Sequence, residues 1–346
     1  MERYFCTLLR RRERVRLALL GGLLASLYGA LKLLSLAGLI NEYWQRVLDQ
    51  ALITTIGALG LSIIYGFAGQ FSLGHAAFYG IGAYTAGIIG KVWSQGSITF
   101  FLLALLAGTL AASFIAFLLG IPILRLRSDY LGIATLGFGV IVRVALENSN
   151  RFYPPLGGAT GMTGIPQVAN FDWIFWFTVG TLILVCNLIA SSYGRAWLSI
   201  REDEMAADTL GINTTRYKIT AFVLGCGLAG LAGGLYAYRY PYLHPSSFDF
   251  LKSFDFLLIV VLGGLGSISG TVVTAICWVF LLEGLRIILG QAFVDWRGVI
   301  YAVILIVTVL LRPQGLFSGK EWRLLFPSRD QDGTWGKEGK HASLRG

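Results

Sequence analysis

Long runs of apolar residues, separated by glycines and short charged segments, are the feature that most restricts what this chain can fold into. A helix needs roughly 20 apolar residues to cross the hydrocarbon layer of a membrane, and segments such as 17–40, 98–121 and 217–238 reach that length. Charged residues make up only 14% of the 346 residues, whereas a soluble domain contains about 25%. We therefore predict an all-α polytopic membrane protein.

The apolar runs predict about ten transmembrane helices. The segments are 17–40, 47–67, a glycine-rich stretch after residue 66, 98–121, 130–148, 173–191, 217–238, 254–262, 271–289 and 298–311. The run 254–262 is too short to cross a membrane and is followed by glycines. Because unpaired backbone groups are not tolerated against lipid, we predict a half-helix or re-entrant turn that lines a cavity there.

Basic residues indicate the orientation of these helices. Most of the 28 Lys and Arg residues lie in 1–16, at Arg125 and Arg127, in the segment 193–218 and from Arg312 onward. Basic loops stay on the cytoplasmic side of a membrane, so both termini and the segment 193–218 are predicted to be cytoplasmic. In a soluble protein, a net charge of +9 would suggest a nucleic-acid partner. Here the basic cytoplasmic segments of a membrane protein account for it, and we predict no nucleic-acid partner.

Composition also divides the chain into three parts. We predict a basic cytoplasmic arm at 1–16, a transmembrane domain at 17–316 and a polar cytoplasmic tail at 317–346. The tail is rich in Gly, Lys, Arg, Asp and Ser, which cannot bury a core, so it is predicted to be disordered. The loop 149–172 contains one basic residue, Arg151, and is predicted to be external.

The segment 193–218 packs an unusual density of charge between two apolar runs. It reads YGRAWLSIREDEMAADTLGINTTRYK and predicts two short helices, the second opening at residues 202–204, whose carboxylates suit a helix N-terminus. Gly211 is well placed for a left-handed cap, and Asn213 can start the next helix. Apolar residues among the charges favour a docking surface, and an amphipathic interfacial loop is the alternative.

Two glycine-rich turns share one spacing, Gly66-x-x-Gly69-x-x-Ser72 and Gly263-x-x-Gly266-x-x-Ser269. Pairs of broken helices, related by an internal repeat, are found at the binding sites of many transporters. The alternative explanation of such glycines is close packing between helices. Backbone groups freed at the turns could serve a zwitterionic substrate. The predicted translocation-path residues are Gly69, Ser72, Gly74, His75, Gly263, Gly264, Gly266 and Ser267.

Ionisable residues within the apolar runs are functional candidates by default. For His75 we favour a structural role, as a neutral imidazole bonded to a backbone carbonyl. The membrane carboxylates Glu147 and Glu283 each have a basic neighbour, at Arg143 and Arg286. These spacings of four and three residues predict ion pairs on one helix face rather than translocation sites.

Several kinds of chemistry have no matching motif. Gly-Lys occurs at 90, 319, 336 and 339 but never within a phosphate-binding loop, so the chain should not hydrolyse ATP by itself. The four cysteines have no paired spacing, and neither a metal-ligand cluster nor a nucleophile motif is present. We predict a protein that is not an enzyme, with no catalytic residues, metal or cofactor.

Several phrases, in order along the chain, resemble the LivM-type permeases of branched-chain amino acid importers. They are GFAGQFSLGHAAF at 66–78, GRA at 194–196, IREDE at 200–204, AA at 206–207, LGIN at 210–213, VLGGLGS at 261–267 and RPQGL at 312–316. The resemblance covers roughly residues 51–316. Met205 departs from the general importer signature, which has Glu at that position.

The resemblance implies an all-α permease subunit, similar to type II importers of the ATP-binding cassette (ABC) class, in the inner membrane of a bacterium. Its implied partners are a second related permease, two ATPase subunits, an external substrate-binding protein and membrane lipid, and its implied cargo is branched-chain or other neutral amino acids. The segment 193–216 would be the loop that contacts the ATPase. The implied coupling residues are Arg195, Arg201, Glu202, Asp203, Glu204, Ala206, Ala207 and Gly211.

Two alternatives remain open at this point. One is the similar urea permease of the same family. The other is an ion-coupled secondary transporter without an ATPase, which free acidic residues buried in the membrane would favour.

Overall fold

The computed structural model describes residues 26, 28–30, 32–33, 41–94, 96–123, 128–290, 292–312 and 315–316. The predicted arm at 1–16 and tail at 317–346 lie outside these residues, as does most of the predicted first helix. Among the described residues, six helices are long and apolar enough to cross a membrane. They are Glu42–Phe67, Ile98–Ile123, Tyr130–Glu147, Phe171–Ala190, Thr214–Arg239 and Ile268–Leu289. The chain is thus an all-α multi-pass membrane protein, and the count of about ten helices stays a prediction.

The helices are labelled here in chain order. They are α1 (Glu42–Leu61), α2 (His75–Ile89), α3 (Ile98–Ile123), α4 (Ser128–Glu147), α5 (Phe171–Ala190), α6 (Ser192–Glu202), α7 (Glu204–Thr209), α8 (Thr214–Arg239), α9 (Phe250–Gly263), α10 (Ile268–Leu289) and α11 (Ala292–Leu311). A π-helical segment, Ser62–Phe67, extends α1, and a second, Gly90–Ser94, extends α2.

The long helix α8 packs against α1, α2 and α3 and forms the centre of the bundle. Glycines permit these contacts. A Cβ atom at Gly233 would lie 1.9 Å from the Tyr79 carbonyl oxygen, and one at Gly82 would lie 2.1 Å from the Gly230 oxygen. Any side chain there would force the helices apart, so these glycines are what permits the close packing.

The helix α9 is only 14 residues long. It ends at Gly263, and the following Gly264 has a φ of +99°, a conformation open mainly to glycine. After a short turn, α10 starts at Ile268. The predicted half-length helix followed by a glycine break is therefore confirmed.

The loop between α4 and α5 is ordered by a contact that sequence reasoning did not predict. After three 3₁₀ turns, strand β1 (Met162–Thr163) pairs antiparallel with strand β2 (Tyr242–Leu243), which follows α8. The Tyr242 hydroxyl also donates to the Thr160 carbonyl oxygen at 2.8 Å. The two loops are thereby joined at the end of α8 that lies opposite α6 and α7.

Candidate coupling site

The predicted charged segment folds into the two short helices α6 and α7. The hydroxyl of Ser191 caps α6 by accepting from the Tyr193 N–H at 3.2 Å. The Asp203 carboxylate caps α7 by accepting from the N–H groups of Met205 at 2.9 Å and Ala206 at 3.0 Å. One detail differs from the prediction. Glu202 ends α6 and Asp203 lies between the helices, because its extended backbone frees its side chain to cap α7.

The end of α7 is as predicted. Gly211 has a φ of +84°, and the Ile212 N–H bonds back to the Ala207 carbonyl oxygen at 3.1 Å, the pattern of a left-handed helix cap. The Asn213 side chain then accepts from the Arg216 N–H at 3.0 Å and starts α8. Both predicted caps are confirmed.

The helix α6 is fixed against the membrane bundle. Trp197 is fully buried among apolar residues of α1, α5 and α8, and its indole N–H donates to the Tyr217 carbonyl oxygen at 2.9 Å. At Gly194, a Cβ atom would lie 2.1 Å from the Ile189 carbonyl oxygen, so only glycine permits this approach. A movement of α6 should therefore be passed to the bundle rather than absorbed in a loose linker.

Arg201, at the end of α6, connects this segment to both glycine turns. Its Nη1 donates to the Gly66 carbonyl oxygen at 2.6 Å, and its Nη2 lies 3.1 Å from a Glu202 carboxylate oxygen. The turns themselves touch, since a Cβ atom at Gly66 would lie 3.1 Å from the backbone nitrogen of Gly266. A Cβ atom at Gly266 would in turn lie 2.8 Å from Arg201 Nη1.

The helix α7 presents a mixed apolar and acidic surface. Met205 and Leu210 are 81% and 80% exposed, while Ala207 is buried. The coupling candidates around them that are exposed are Arg195, Glu202, Asp203, Glu204, Ala206 and Gly211. Glu204 also pairs with Lys218 at 2.5 Å. Large exposed apolar side chains with a charged rim are typical of a surface that binds another protein.

The first glycine turn begins at Gly66, near the end of the π-helical segment, and runs to Gly74. Gly69 has a φ of +70°. A Cβ atom at Gly74 would lie 2.2 Å from the Thr135 carbonyl oxygen of α4, and the Leu73 N–H donates to the Thr135 hydroxyl at 3.0 Å. The buried hydroxyl of Ser72 has no hydrogen-bond partner among the described residues.

His75 lies at the start of α2 and is fully buried. Its Nε2 is 2.9 Å from the Gly57 carbonyl oxygen, and because a carbonyl only accepts, Nε2 must be the donor. The ring packs edge-on against Phe256, with centroids 5.4 Å apart. This is the geometry of the structural role favoured from sequence.

The second glycine turn separates α9 from α10. Gly264 and Gly266 have φ values of +99° and +83°. The Ser267 hydroxyl accepts from the Gly270 N–H at 3.1 Å and caps α10. A Cβ atom at Gly263 would lie 2.8 Å from the carbonyl carbon of Gly270, so this turn is tightly packed as well.

The predicted ion pairs form, with Arg143 and Glu147 at 2.9 Å and Arg286 and Glu283 at 3.4 Å.

Sequence reasoning overlooked two buried carboxylates. Asp49 is paired with Arg239 at 2.6 Å, and Asp255 is held by Lys252 and Trp278. The available signal was the position of each aspartate at or near the edge of an apolar run. In the described part of the chain, no three His, Cys, Asp or Glu side chains could hold a metal ion.

Comparison with known proteins places these features in a family. Residues 43–309 match the family model described as branched-chain amino acid transport system / permease component. The chain is 35% identical over 304 residues to the high-affinity branched-chain amino acid transport system permease protein LivM of Salmonella typhimurium, covering 78% of this chain and 69% of that protein. The corresponding LivM of Escherichia coli is 36% identical over 299 residues, covering 77% of this chain and 68% of that protein.

A more distant relative is the permease protein LivH of Salmonella typhimurium, which is 26% identical over 286 residues and covers 76% of this chain and 91% of that protein. No solved structure matches the chain. Since the family model spans more than half of the chain and the LivM relatives agree with it, the chain belongs to the family of permease components of branched-chain amino acid transport systems.

Proposed function

We propose that this chain is the membrane subunit of an ABC importer that moves branched-chain or other neutral amino acids into the cell. The observation that supports ATP-driven transport is the exposed surface of α7. The neighbouring helix α6 connects this surface rigidly to the transmembrane bundle. The sequence contains no phosphate-binding loop of its own, so in this proposal the energy comes from separate ATPase subunits. Met205 and Leu210 are the apolar contacts we assign to that interface.

The partners follow from the same reasoning. Two ATPase subunits would bind the 193–216 segments of two permeases, and an external binding protein would deliver the amino acid. The second permease is proposed to be a related chain, since relatives named LivM and LivH both match this one. A type II architecture with about ten helices in the bacterial inner membrane completes the proposal.

The proposed orientation puts both termini and α7 in the cytoplasm and the β1–β2 loops outside. It is supported by the concentration of basic residues at the chain ends and in the 193–218 segment. Single cysteines at Phe152 and Ser199, which are both exposed, test it with an impermeant reagent in intact cells, in a variant without the four native cysteines. We expect labelling at residue 152, and labelling at residue 199 instead would reverse the orientation.

We also propose that the glycine turns form the inner part of the translocation path. Gly66 and Gly266 lie close together beside Arg201. A displacement of α6 would therefore move the backbone of both turns together. Backbone groups at Gly69, Gly264 and their neighbours are the polar groups available to a passing zwitterion. In this proposal the turns act as the gate that the coupling segment moves.

The replacement Leu210→Glu tests the interface, at a side chain that is 80% exposed. It should weaken ATPase association by about 30-fold or more, because placing an unpaired charge in an apolar contact costs at least about 2 kcal/mol. Labelled leucine uptake should be lost while the amount of inserted permease stays the same. Leu210→Met keeps the apolar contact and is the matched control, which should import normally.

The substrate is tested in the same cells with labelled leucine and labelled urea. We expect leucine uptake to depend on the gene and to be inhibited by unlabelled isoleucine and valine. Gene-dependent uptake of urea with unchanged leucine uptake would contradict the amino-acid assignment. Normal uptake by Leu210→Glu would contradict the coupling role of the α7 surface.

A further inference from the structure

The segment RPQGL at 312–316 follows α11 and contacts the second glycine turn. The helix α11 itself packs against α9 and α10, which lie before and after that turn. Within the segment, Gly315 is buried and Leu316 is exposed. A buried glycine beside an exposed leucine indicates that the segment meets the bundle through its backbone and not through its side chains.

The end of α9 leaves one carbonyl group without its usual helical partner. In a continuing helix, the Leu262 carbonyl oxygen would accept from the N–H of residue 266, four positions further on. The backbone instead turns away at Gly264, where φ is +99° and ψ is +126°. Since Leu262 is buried, its carbonyl oxygen needs a donor from elsewhere in the protein.

Leu316 supplies that donor. Its N–H lies 2.8 Å from the Leu262 carbonyl oxygen, a normal length for a backbone hydrogen bond. The Gly315 N–H also donates to the Arg312 carbonyl oxygen at 2.9 Å, which ties Gly315 to the residue directly after α11. The end of α9 is thus capped by a distant part of the chain, and the bond that caps it uses backbone atoms alone.

Gly315 packs directly on the backbone of the turn. A Cβ atom at this position would lie 2.4 Å from the Gly264 Cα and 2.8 Å from the Val261 carbonyl oxygen, and real Cβ atoms essentially never come within 3.0 Å of another heavy atom. Backbone atoms cannot rotate away as the end of a flexible side chain can. The φ of Gly315 is also +84°, a conformation that strains any residue with a side chain. The contact therefore requires glycine for two independent reasons.

The second glycine turn is held at two points. Gly264, at its start, contacts Gly315, and Gly266, in its middle, lies close to Gly66 and to Arg201 Nη1. In the proposed mechanism Arg201 moves with α6, whereas Gly315 belongs to the end of α11. A segment that is fixed at one point and displaced at another changes its shape between them. Displacement of α6 would therefore reshape the turn without shifting the whole of α9.

We propose that Gly315 and Leu316 form a backbone clasp that positions the second glycine turn during transport. The clasp holds the end of α9 while the coupling segment displaces Gly266, and it thereby converts a movement of α6 into a movement of the gate. Both are positioning residues, which act through the turn and not on the substrate itself. The inference rests on the proposed function, because it assigns the fixed point of the gate that the coupling segment moves.

Leu316→Pro in the full-length chain tests the hydrogen bond of the clasp, because proline has no N–H to donate. The complete transporter is placed in proteoliposomes with its binding protein, and leucine uptake and ATP hydrolysis are measured together. Hydrolysis should continue, because the route from α7 through α6 and Arg201 is intact. The leucine moved per ATP should fall about fivefold or more, the size expected when a buried acceptor loses its donor. Leu316→Ala keeps the N–H and is the matched control, which should retain the wild-type ratio.

Gly315→Ala tests the close contact of the clasp while the N–H of residue 316 is kept. Its Cβ would displace the backbone of Gly264, so the leucine moved per ATP should again fall. Gly164→Ala is the matched control, because its φ is +82° and no described atom lies within 4 Å of its Cβ position. It introduces the same strain without the contact and should keep the wild-type ratio. This pair keeps the test decisive if Leu316→Pro does not insert.

The outcomes separate the two proposals. A clasp that only stabilises the fold would lower the amount of inserted protein and leave the leucine moved per ATP unchanged. That result, or equal ratios in Leu316→Pro and Leu316→Ala, would overturn the positioning role and leave the importer proposal standing. If the wild-type transporter shows no ATP-dependent leucine uptake, the importer proposal fails and the clasp fails with it.

Discussion

The two glycine turns have the same spacing and adopt related backbones, yet they are held in different ways. The middle glycine has a positive φ in each, +70° at Gly69 and +83° at Gly266. After the second turn, α10 begins with a serine cap, Ser267. After the first, the N-cap position of α2 is Gly74, which has no side chain to act as a cap. A Cβ atom there would lie 2.2 Å from the Thr135 carbonyl oxygen.

Their neighbours differ as well. The first turn is fastened to α6 through Arg201, which donates to the Gly66 carbonyl oxygen. The second is fastened to the described residues after α11, where the Leu316 N–H donates to the Leu262 carbonyl oxygen at 2.8 Å. Similar spacing therefore produced similar chain reversals, while the contacts of each turn came from distant parts of the chain.

The largest effect is expected for Gly266→Leu. A side chain at this φ costs roughly 1–2 kcal/mol, and its Cβ would lie 2.8 Å from Arg201 Nη1, which forces the arginine away from Gly66. Leucine uptake should be lost while the protein still inserts. Uptake assays and membrane yield are the measurements.

Gly164→Leu is the matched control for this prediction. Its φ is +82°, and no described atom lies within 4 Å of its Cβ position. The backbone strain is the same but the contact with Arg201 is missing, so uptake should remain. Equal loss of uptake in both variants would mean that strain alone, and no contact between the turns, explains the result.

An intermediate effect is expected for Arg201→Gln. Removing a charged hydrogen bond costs about 1.5–3 kcal/mol and leaves the Gly66 carbonyl oxygen unpaired. ATPase association should persist because the α7 surface is intact, but uptake should fall about tenfold or more, and ATP hydrolysis should no longer respond to the loaded binding protein. If Arg201 acts through Gly266, the double variant Arg201→Gln with Gly266→Ala should be no worse than the more defective single variant.

The smallest effects should distinguish the serines of the two turns. Ser267→Ala removes a helix cap and should cost about 1 kcal/mol of unfolding free energy. Ser72→Ala removes a buried hydroxyl that has no partner among the described residues, so its effect should be within about 0.5 kcal/mol or stabilising. Unfolding midpoints of the purified permease measure both. A larger loss at Ser72 would show that its hydroxyl has a partner not accounted for here.

Features set by short stretches of sequence were predictable. Residues within a few positions of one another determine each of these features. They are the two short helices α6 and α7, the left-handed cap at Gly211, the start of α8 at Asn213 and the short helix α9. The pairs Arg143–Glu147 and Glu283–Arg286 were predictable for the same reason, because three or four residues bring side chains to one face of a helix.

What the sequence by itself determined is thus the membrane character of the chain, the positions where its helices break and the location of the charged segment 193–218. Tertiary structure alone decided which distant residues meet. Arg201 reaches Gly66, 135 residues away, and Asp49 pairs with Arg239. Strand β1 pairs with β2, and separate turns of α1, α9 and α10 line one cavity. Apolar periodicity records which face of a helix is buried, but it does not record which other helix covers that face. The hydrogen-bond and ion-pair partners of buried polar groups are therefore determined only when the helices pack against one another.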